Sequence, residues 1–113
     1  MKLAFISGPY RADSEWEVLQ NIRKAEKYAG KYWKLGYAVI CPHKNTAFMG
    51  GLCPDETWLK GDLEILKRCD VIVMIPGSAN SIGACDELDL ALEMGIQVIY
   101  EDPAFKVRKA NRG

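Results

Sequence analysis

Short apolar runs alternate along the chain with segments in which apolar residues recur every three or four positions. The runs predict four β-strands, at residues 2–7, 37–41, 70–75 and 96–100. The segments with helical spacing predict three helices, at residues 13–35, 55–68 and 83–94. Apolar strands that alternate with amphipathic helices are typical of a parallel sheet covered on both faces. We therefore predict a three-layer α/β domain, flavodoxin- or Rossmann-like, with four or five parallel strands and helices on both faces.

Several residues mark where the predicted helices begin and end. Asp13 or Ser14 is placed to cap the first helix, Gly36 to end it, and Gly95 to end the third. Gly61 lies inside the second helix, which predicts a break or a close packing contact there. Four apolar residues of that helix are expected to face inward: Trp58, Leu59, Leu63 and Leu66.

Two stretches lack a regular pattern. Residues 42–54 form the longest irregular segment, and loops of that length tend to carry function. The tail, residues 101–113, predicts either an edge strand around residues 104–107 or a basic arm. Its basic residues are Lys106, Arg108, Lys109 and Arg112.

Composition and charge narrow the class of protein. The 113 residues fit one domain, and 49% of them are hydrophobic, which is enough for a packed core. Lys and Arg number 15 and Asp and Glu number 15, so the net charge is zero. A zero charge argues against a nucleic-acid or membrane-surface partner. The first apolar run is too short for a signal peptide, and we expect a cytoplasmic protein.

The four cysteines do not predict a metal site or a disulfide framework. Cys41, Cys53, Cys69 and Cys85 are widely spaced, and no two of them form a C-x-x-C pair. We expect four reduced thiols and no bound metal. The chain also lacks a Walker A loop and a G-x-G-x-x-G fingerprint, so no ATP, NAD or other cofactor is predicted.

Polar residues gather in the three loops that follow predicted strands. Ligands of open parallel sheets bind beyond the carboxyl ends of the strands, and these loops lie there. A cationic pair, Arg11 and Lys44, is suited to an anionic group, and the start of the third helix offers backbone N–H groups to a phosphate. The candidate binding residues are Ser7, Gly8, Arg11, His43, Lys44, Asn45, Ser81 and Gly83.

Two carboxylates are candidates for chemistry. Glu87 lies near the start of the third helix, at the edge of its apolar stripe, where the helix dipole favours a negative charge. Asp62 lies in the helix before the third strand, beside Gly61. The alternative for each is an ordinary carboxylate on a solvated helix face.

Three segments resemble the nucleoside 2-deoxyribosyltransferase superfamily, which includes the 2′-deoxynucleoside 5′-monophosphate N-glycosidases. They are FISGPYR, GDLEILKRCDVIVMIPG and SIGACDELDLALEMG, and the resemblance covers residues 3 to 100. Short phage and bacterial relatives of unassigned function share the ISGPY opening. The most specific part is the pattern S-x-G-x-x-x-E-L-x-x-A, which is matched by Ser81, Gly83, Glu87, Leu88 and Ala91.

The resemblance implies roles for individual residues. Glu87 would be the nucleophile that forms a glycosyl-enzyme intermediate, and Asp62 would transfer the proton. Ser81 and Arg11 match phosphate contacts, and His43 falls near the base pocket.

The chain departs from the family at three places. Phe5 stands where the family has a catalytic Tyr, and Tyr10 is expected to orient Glu87 instead. Pro9 replaces a phosphate-binding Ser, and the tail has no Ser or Thr. We expect a homodimer or larger assembly in which a neighbour closes each site.

Three functions remain open from the sequence. The first is cleavage or transfer of the N-glycosidic bond of a (deoxy)nucleoside or its 5′-monophosphate. The second is a non-catalytic module that binds nucleotides or nucleotide sugars. The third is an oligomeric interaction protein without a ligand site, in which Trp16, Trp33 and Trp58 anchor interfaces or pack in the core.

Overall fold

A computed structural model describes residues 1–105. The four strands are β1 (Leu3–Ser7), β2 (Ala38–Ile40), β3 (Val71–Met74) and β4 (Gln97–Tyr100). The four α-helices are α1 (Glu15–Lys34), α2 (Pro42–Asn45), α3 (Asp55–Leu66) and α4 (Ile82–Met94), and a 3-10 turn spans Ser78–Asn80.

The strands form one parallel sheet in the order β2-β1-β3-β4. In register, Phe5 pairs with Ile72 and Ile72 pairs with Val98. The chain leaves β1 toward one edge of the sheet and leaves β3 toward the other. The switch point between β1 and β3 is where ligands of such sheets bind.

Successive residues of the strands point to opposite faces, so the sheet has a core on each side. Phe5, Ile72 and Met74 pack on one face with residues of α3 and α4 such as Leu66 and Leu88. The opposite face packs against α1, and its buried residues are Ala4, Ile6, Ala25, Ala29, Tyr32, Val71, Val73 and Ile75. The predicted three-layer α/β fold is thereby confirmed.

Local chemistry sets the helix ends where the pattern predicted them. The Ser14 hydroxyl accepts a hydrogen bond from the Glu17 N–H at 3.1 Å and caps α1. Gly36 and Gly95 follow α1 and α4 with φ of +98° and +73°, a conformation that glycine adopts without strain. The Ser81 hydroxyl accepts from the Ala84 N–H, so α4 begins at Ile82, one residue before the prediction.

Several details of the prediction were wrong. β2 is only half-buried, because it lies at the edge of the sheet and pairs with β1 alone. The irregular stretch opens with the short helix α2. Gly61 neither breaks α3 nor packs closely, since a Cβ there would meet no atom within 4 Å. Leu59 is exposed rather than inward.

None of the three tryptophan side chains is buried in the core. Trp16 and Trp33 on α1 are 69% and 55% exposed, while Trp58 is half-buried. Small residues of α1, Ala25 and Ala29, make its buried contacts with the sheet instead.

At the carboxyl end, residues 103–105 form a helical turn, so no strand begins at Ala104. The remainder of the tail, with Lys106, Arg108, Lys109 and Arg112, lies outside the described residues. Within residues 1–105, no helix combines the length and the apolar character needed to cross a bilayer.

Candidate active site

A cleft of about 580 Å³ opens at the switch point between β1 and β3. Its walls are the loops after β1 and β2, one side of α3, and the first turns of α4. Parallel pairing brings the carboxyl ends of β1 and β3 side by side, which is why segments far apart in sequence meet here.

Glu87 lies at the floor of this cleft in the second turn of α4. Its Oε1 accepts a hydrogen bond of 2.7 Å from the Ser7 hydroxyl at the end of β1. Burial raises the pKa of Glu87 to about 8, the bond from Ser7 opposes that rise, and the charges of Asp62 and Asp86 add to it. Glu87 is therefore a carboxyl group that holds a proton near neutral pH.

Asp62 reaches the same cleft from α3. Burial raises its pKa to about 6. Because its charge acts on Glu87, the two carboxyl groups titrate as a coupled pair, and near neutral pH the pair holds one proton. Two carboxyl groups in one cleft whose pKa values are raised to different extents are the arrangement used for nucleophilic and acid–base chemistry.

His43 forms part of the wall without carrying charge. It is buried, its Nε2 donates to the Pro9 carbonyl at 3.0 Å, and burial lowers its pKa. Its ring meets the ring of Tyr10 edge to face, with centroids 5.9 Å apart. His43 therefore fixes the loop after β1 and presents a neutral ring to the cleft.

One ion pair spans the mouth of the cleft. The Arg11 guanidinium lies 3.0 Å from the carboxylate of Asp55 at the start of α3. Both side chains are largely exposed, so the pair contributes little to stability.

Eight of the residues singled out from the sequence line the cleft: Gly8, Tyr10, Arg11, His43, Asp62, Ser81, Gly83 and Glu87. Ser7 joins them through its bond to Glu87. Lys44 and Asn45 do not line it. The Lys44 ammonium lies 2.6 Å from a carboxylate oxygen of Glu26, because α2 turns that side chain toward α1.

Tyr10 was expected to orient Glu87, and in the structure Ser7 donates the hydrogen bond to that carboxyl group. The backbone carbonyl of Tyr10 accepts from the Asn21 amide at 3.1 Å, and its ring faces His43. Phe5 is fully buried in the core, two positions before Ser7 on the same face of β1.

Some lining residues were missed by sequence reasoning. Trp58 was assigned to the core or to an interface, and Asp55 was read only as part of a helix start. A polar residue at the beginning of a helix that faces a polar loop is the signal that would have identified Asp55. The other lining residues not anticipated as site residues include Thr46, Gly50, Leu59, Ile82 and Asp86.

A buried carboxylate outside the cleft positions the loop that follows β3. Asp102 accepts hydrogen bonds from the N–H groups of Gly77, Ala79 and Ala104 at 3.0 to 3.2 Å. Gly77 and Ala79 lie in the turn that leads to Ser81 and α4. Asp102 therefore positions the segment that carries the start of α4.

Two structures of known proteins share this fold. A 2-deoxyribosyltransferase from Bacillus psychrosaccharolyticus superposes with a TM-score of 0.63 at 24% identity, over 87% of this chain and 70% of that protein. A 2-desoxiribosyltransferase from Leishmania mexicana superposes with a TM-score of 0.57 at 18% identity, over 88% of this chain and 63% of that protein. At these identities the likeness shows the fold.

Sequence comparison assigns the family directly. No curated protein matches the chain. The model of a domain of unknown function, DUF7768, matches residues 2–101, which include every strand and every residue of the cleft. The chain therefore belongs to the DUF7768 family.

Proposed function

We propose that this protein cleaves or transfers the N-glycosidic bond of a (deoxy)nucleoside or its 5′-monophosphate. The observation that carries the proposal is the coupled pair Glu87 and Asp62 in one cleft, with Glu87 held by Ser7. The fold shared with two deoxyribosyltransferases supports it, as does the position of the cleft at the switch point.

The proposed reaction proceeds in two steps. An ionised Glu87 oxygen attacks the anomeric carbon of the sugar, the carbon–nitrogen bond breaks, and Asp62 donates its proton to the departing base. Water or a second base then attacks the anomeric carbon, Asp62 takes up the proton of that nucleophile, and Glu87 is released. The reactive state of the pair is the one with an ionised Glu87 and a protonated Asp62.

A carboxylate suits this reaction for a second reason. The transition state at the anomeric carbon resembles an oxocarbenium ion, so a negative charge beside it stabilises it before the bond to Glu87 forms. The cleft has Trp58 and Leu63 on one wall, which offer apolar surface to a flat base.

We also propose a homo-oligomer in which a neighbouring chain closes the cleft. Leu59 and Ile82 stand at its rim with 48% and 83% of their surface exposed, which leaves an apolar edge uncovered in the single chain. Light scattering tests this proposal, and a monomer at working concentration contradicts it.

The decisive experiment is chromatography of free bases after incubation with mixed nucleosides and nucleotides, with and without an acceptor base. We expect the wild-type protein to release at least one base. Glu87→Ala should fold and release none, while Asp89→Ala, an exposed carboxylate of the same helix, should match the wild type. Binding of the panel without release of any base would instead support a non-catalytic binding module.

A further inference from the structure

The charged side chains around the cleft are mostly acidic. Four carboxyl groups line it, from Asp55, Asp62, Asp86 and Glu87. Among residues 1–105, Arg11 is the only lysine or arginine that lines it. His43 adds no positive charge, because burial lowers its pKa.

The single cation is already neutralised. Arg11 and Asp55 are 3.0 Å apart across the mouth of the cleft. Lys44, the second cation expected from the sequence, is paired with Glu26 on α1 at 2.6 Å and does not line the cleft. A phosphate that enters the site would have to displace Asp55 from Arg11 and leave that carboxylate beside it.

The start of α4 offers a phosphate fewer donors than an uncapped helix start would. The Ser81 hydroxyl accepts a hydrogen bond from the Ala84 N–H and so occupies one of the helix N–H groups. Asp86 and Glu87 stand one turn further along the same helix and both face the cleft. A dianionic phosphate at this helix start would therefore lie close to two acidic groups, which oppose its binding.

We propose that the cleft selects the uncharged nucleoside and discriminates against its 5′-monophosphate, with Asp55 as a specificity-determining residue. This inference rests on the proposed function and narrows its substrate class. Asp55 acts in two ways, because it occupies Arg11 and it repels a second anion at the mouth of the cleft.

Discrimination against the monophosphate also keeps additional negative charge away from Glu87. The reaction needs Glu87 in its ionised form, and each negative charge brought near it makes ionisation less favourable. An uncharged nucleoside brings no charge into the cleft, so it leaves the protonation equilibria of Glu87 and Asp62 unchanged. A 5′-phosphate in the cleft would raise the already elevated pKa of Glu87 further and reduce the fraction that is ionised and reactive.

The test compares each of the four common deoxynucleosides with its own 5′-monophosphate, using kcat/KM for base release at low ionic strength. We expect the nucleoside to be preferred by about tenfold or more. Asp55→Asn should reduce that preference by raising activity on the monophosphate. Glu56→Gln removes a neighbouring charge that pairs with Lys60 and does not line the cleft, so it should leave the preference unchanged.

The outcomes separate this inference from the proposed function. Preference for the monophosphate, or an unchanged preference in Asp55→Asn, overturns the inference while the glycosidase activity stands. If no compound loses its base, the proposed function fails, and calorimetry with the same pairs decides the charge preference. Tighter binding of the nucleoside then supports it, and tighter binding of the monophosphate or no binding of either overturns it.

Discussion

The Ser7 hydroxyl donates a hydrogen bond of 2.7 Å to the Glu87 carboxylate and so ties the end of β1 to the second turn of α4. Eighty positions separate the two residues along the chain. The bond selects one carboxylate oxygen and leaves the other to the cleft.

Removing that hydroxyl should disturb the carboxylate more than the fold. A hydrogen bond to a charged group contributes about 1.5–3 kcal/mol, so we expect Ser7→Ala to lower kcat/KM by roughly 10- to 100-fold. The pKa of Glu87 should rise further, because Ser7 lowers it in the wild type. Steady-state kinetics across pH measures both effects.

Ser78→Ala is the matched control. Ser78 is also fully buried, but its hydroxyl has no hydrogen-bond partner among the described residues. We expect this variant to keep the activity and the pH profile of the wild type. Equal losses in both variants would show that Ser7 acts through packing alone.

The raised pKa values of Asp62 and Glu87 predict a bell-shaped dependence of kcat/KM on pH. Below the pKa of about 6 both groups are protonated and no nucleophile is present, whereas above about 8 both are ionised and no acid remains. The maximum should lie at about pH 7. A rate that climbs steadily to high pH would contradict the role of Asp62 as the proton donor.

The raised pKa of Glu87 also predicts how stability varies with pH. The native state binds the Glu87 proton more tightly than the unfolded state does. The contribution of this proton to the free energy of unfolding is therefore complete below the unfolded pKa of 4.5, and it is lost as pH rises through about 8. Glu87→Gln keeps an acceptor for Ser7 and removes the titration. Between about pH 5 and pH 9, the variant should gain on the order of 4 kcal/mol relative to the wild type.

Urea denaturation at several pH values measures this difference. Glu93→Gln, an exposed position on the same helix, reports the effect of removing a solvated carboxylate from α4. If the difference between Glu87→Gln and the wild type does not change with pH, Glu87 is not buried with its proton.

Asp102 should be one of the most sensitive positions outside the cleft. Asp102→Ala leaves the N–H groups of Gly77, Ala79 and Ala104 without their acceptor, and we expect a loss of about 2–3 kcal/mol in the free energy of unfolding. Asp102→Asn retains one acceptor oxygen and should lose less. Asp89→Ala, which removes an exposed carboxylate, should have little effect, and a similar loss there would contradict this role.

Two glycines provide a paired test of local packing. A Cβ at Gly8 would come within 2.6 Å of Ile75 Cδ1 and closer still to Cγ1, and Ile75 is fully buried, so Gly8→Ala should cost about 1–3 kcal/mol. A Cβ at Gly61, inside α3, would meet no atom within 4 Å. Gly61→Ala should therefore raise the free energy of unfolding by about 0.5–1 kcal/mol. Thermal unfolding distinguishes these outcomes. If both substitutions lower the melting temperature, α3 is packed more closely around Gly61 than the structure shows.

The sequence by itself determined the elements, their order and the layers. Apolar runs and helical spacing are local signals, and caps such as Ser14 and Gly95 act within one turn, so each is readable along the chain. The same reasoning pointed to Glu87 near the start of α4, because loops after parallel strands converge at one edge of the sheet. Asp62 was singled out by its place beside Gly61 and by the resemblance to the deoxyribosyltransferase superfamily.

Only the tertiary structure decided the partners within the site. That Ser7 rather than Tyr10 holds Glu87, that Asp55 occupies Arg11, and that Lys44 turns away to Glu26 all depend on side-chain directions set by packing between distant segments. A carboxylate's pKa likewise depends on burial and on neighbouring charges in space, which no spacing along the chain encodes. The chain thus specifies which groups are available, and the packing of α3 and α4 on β1 and β3 specifies which of them meet.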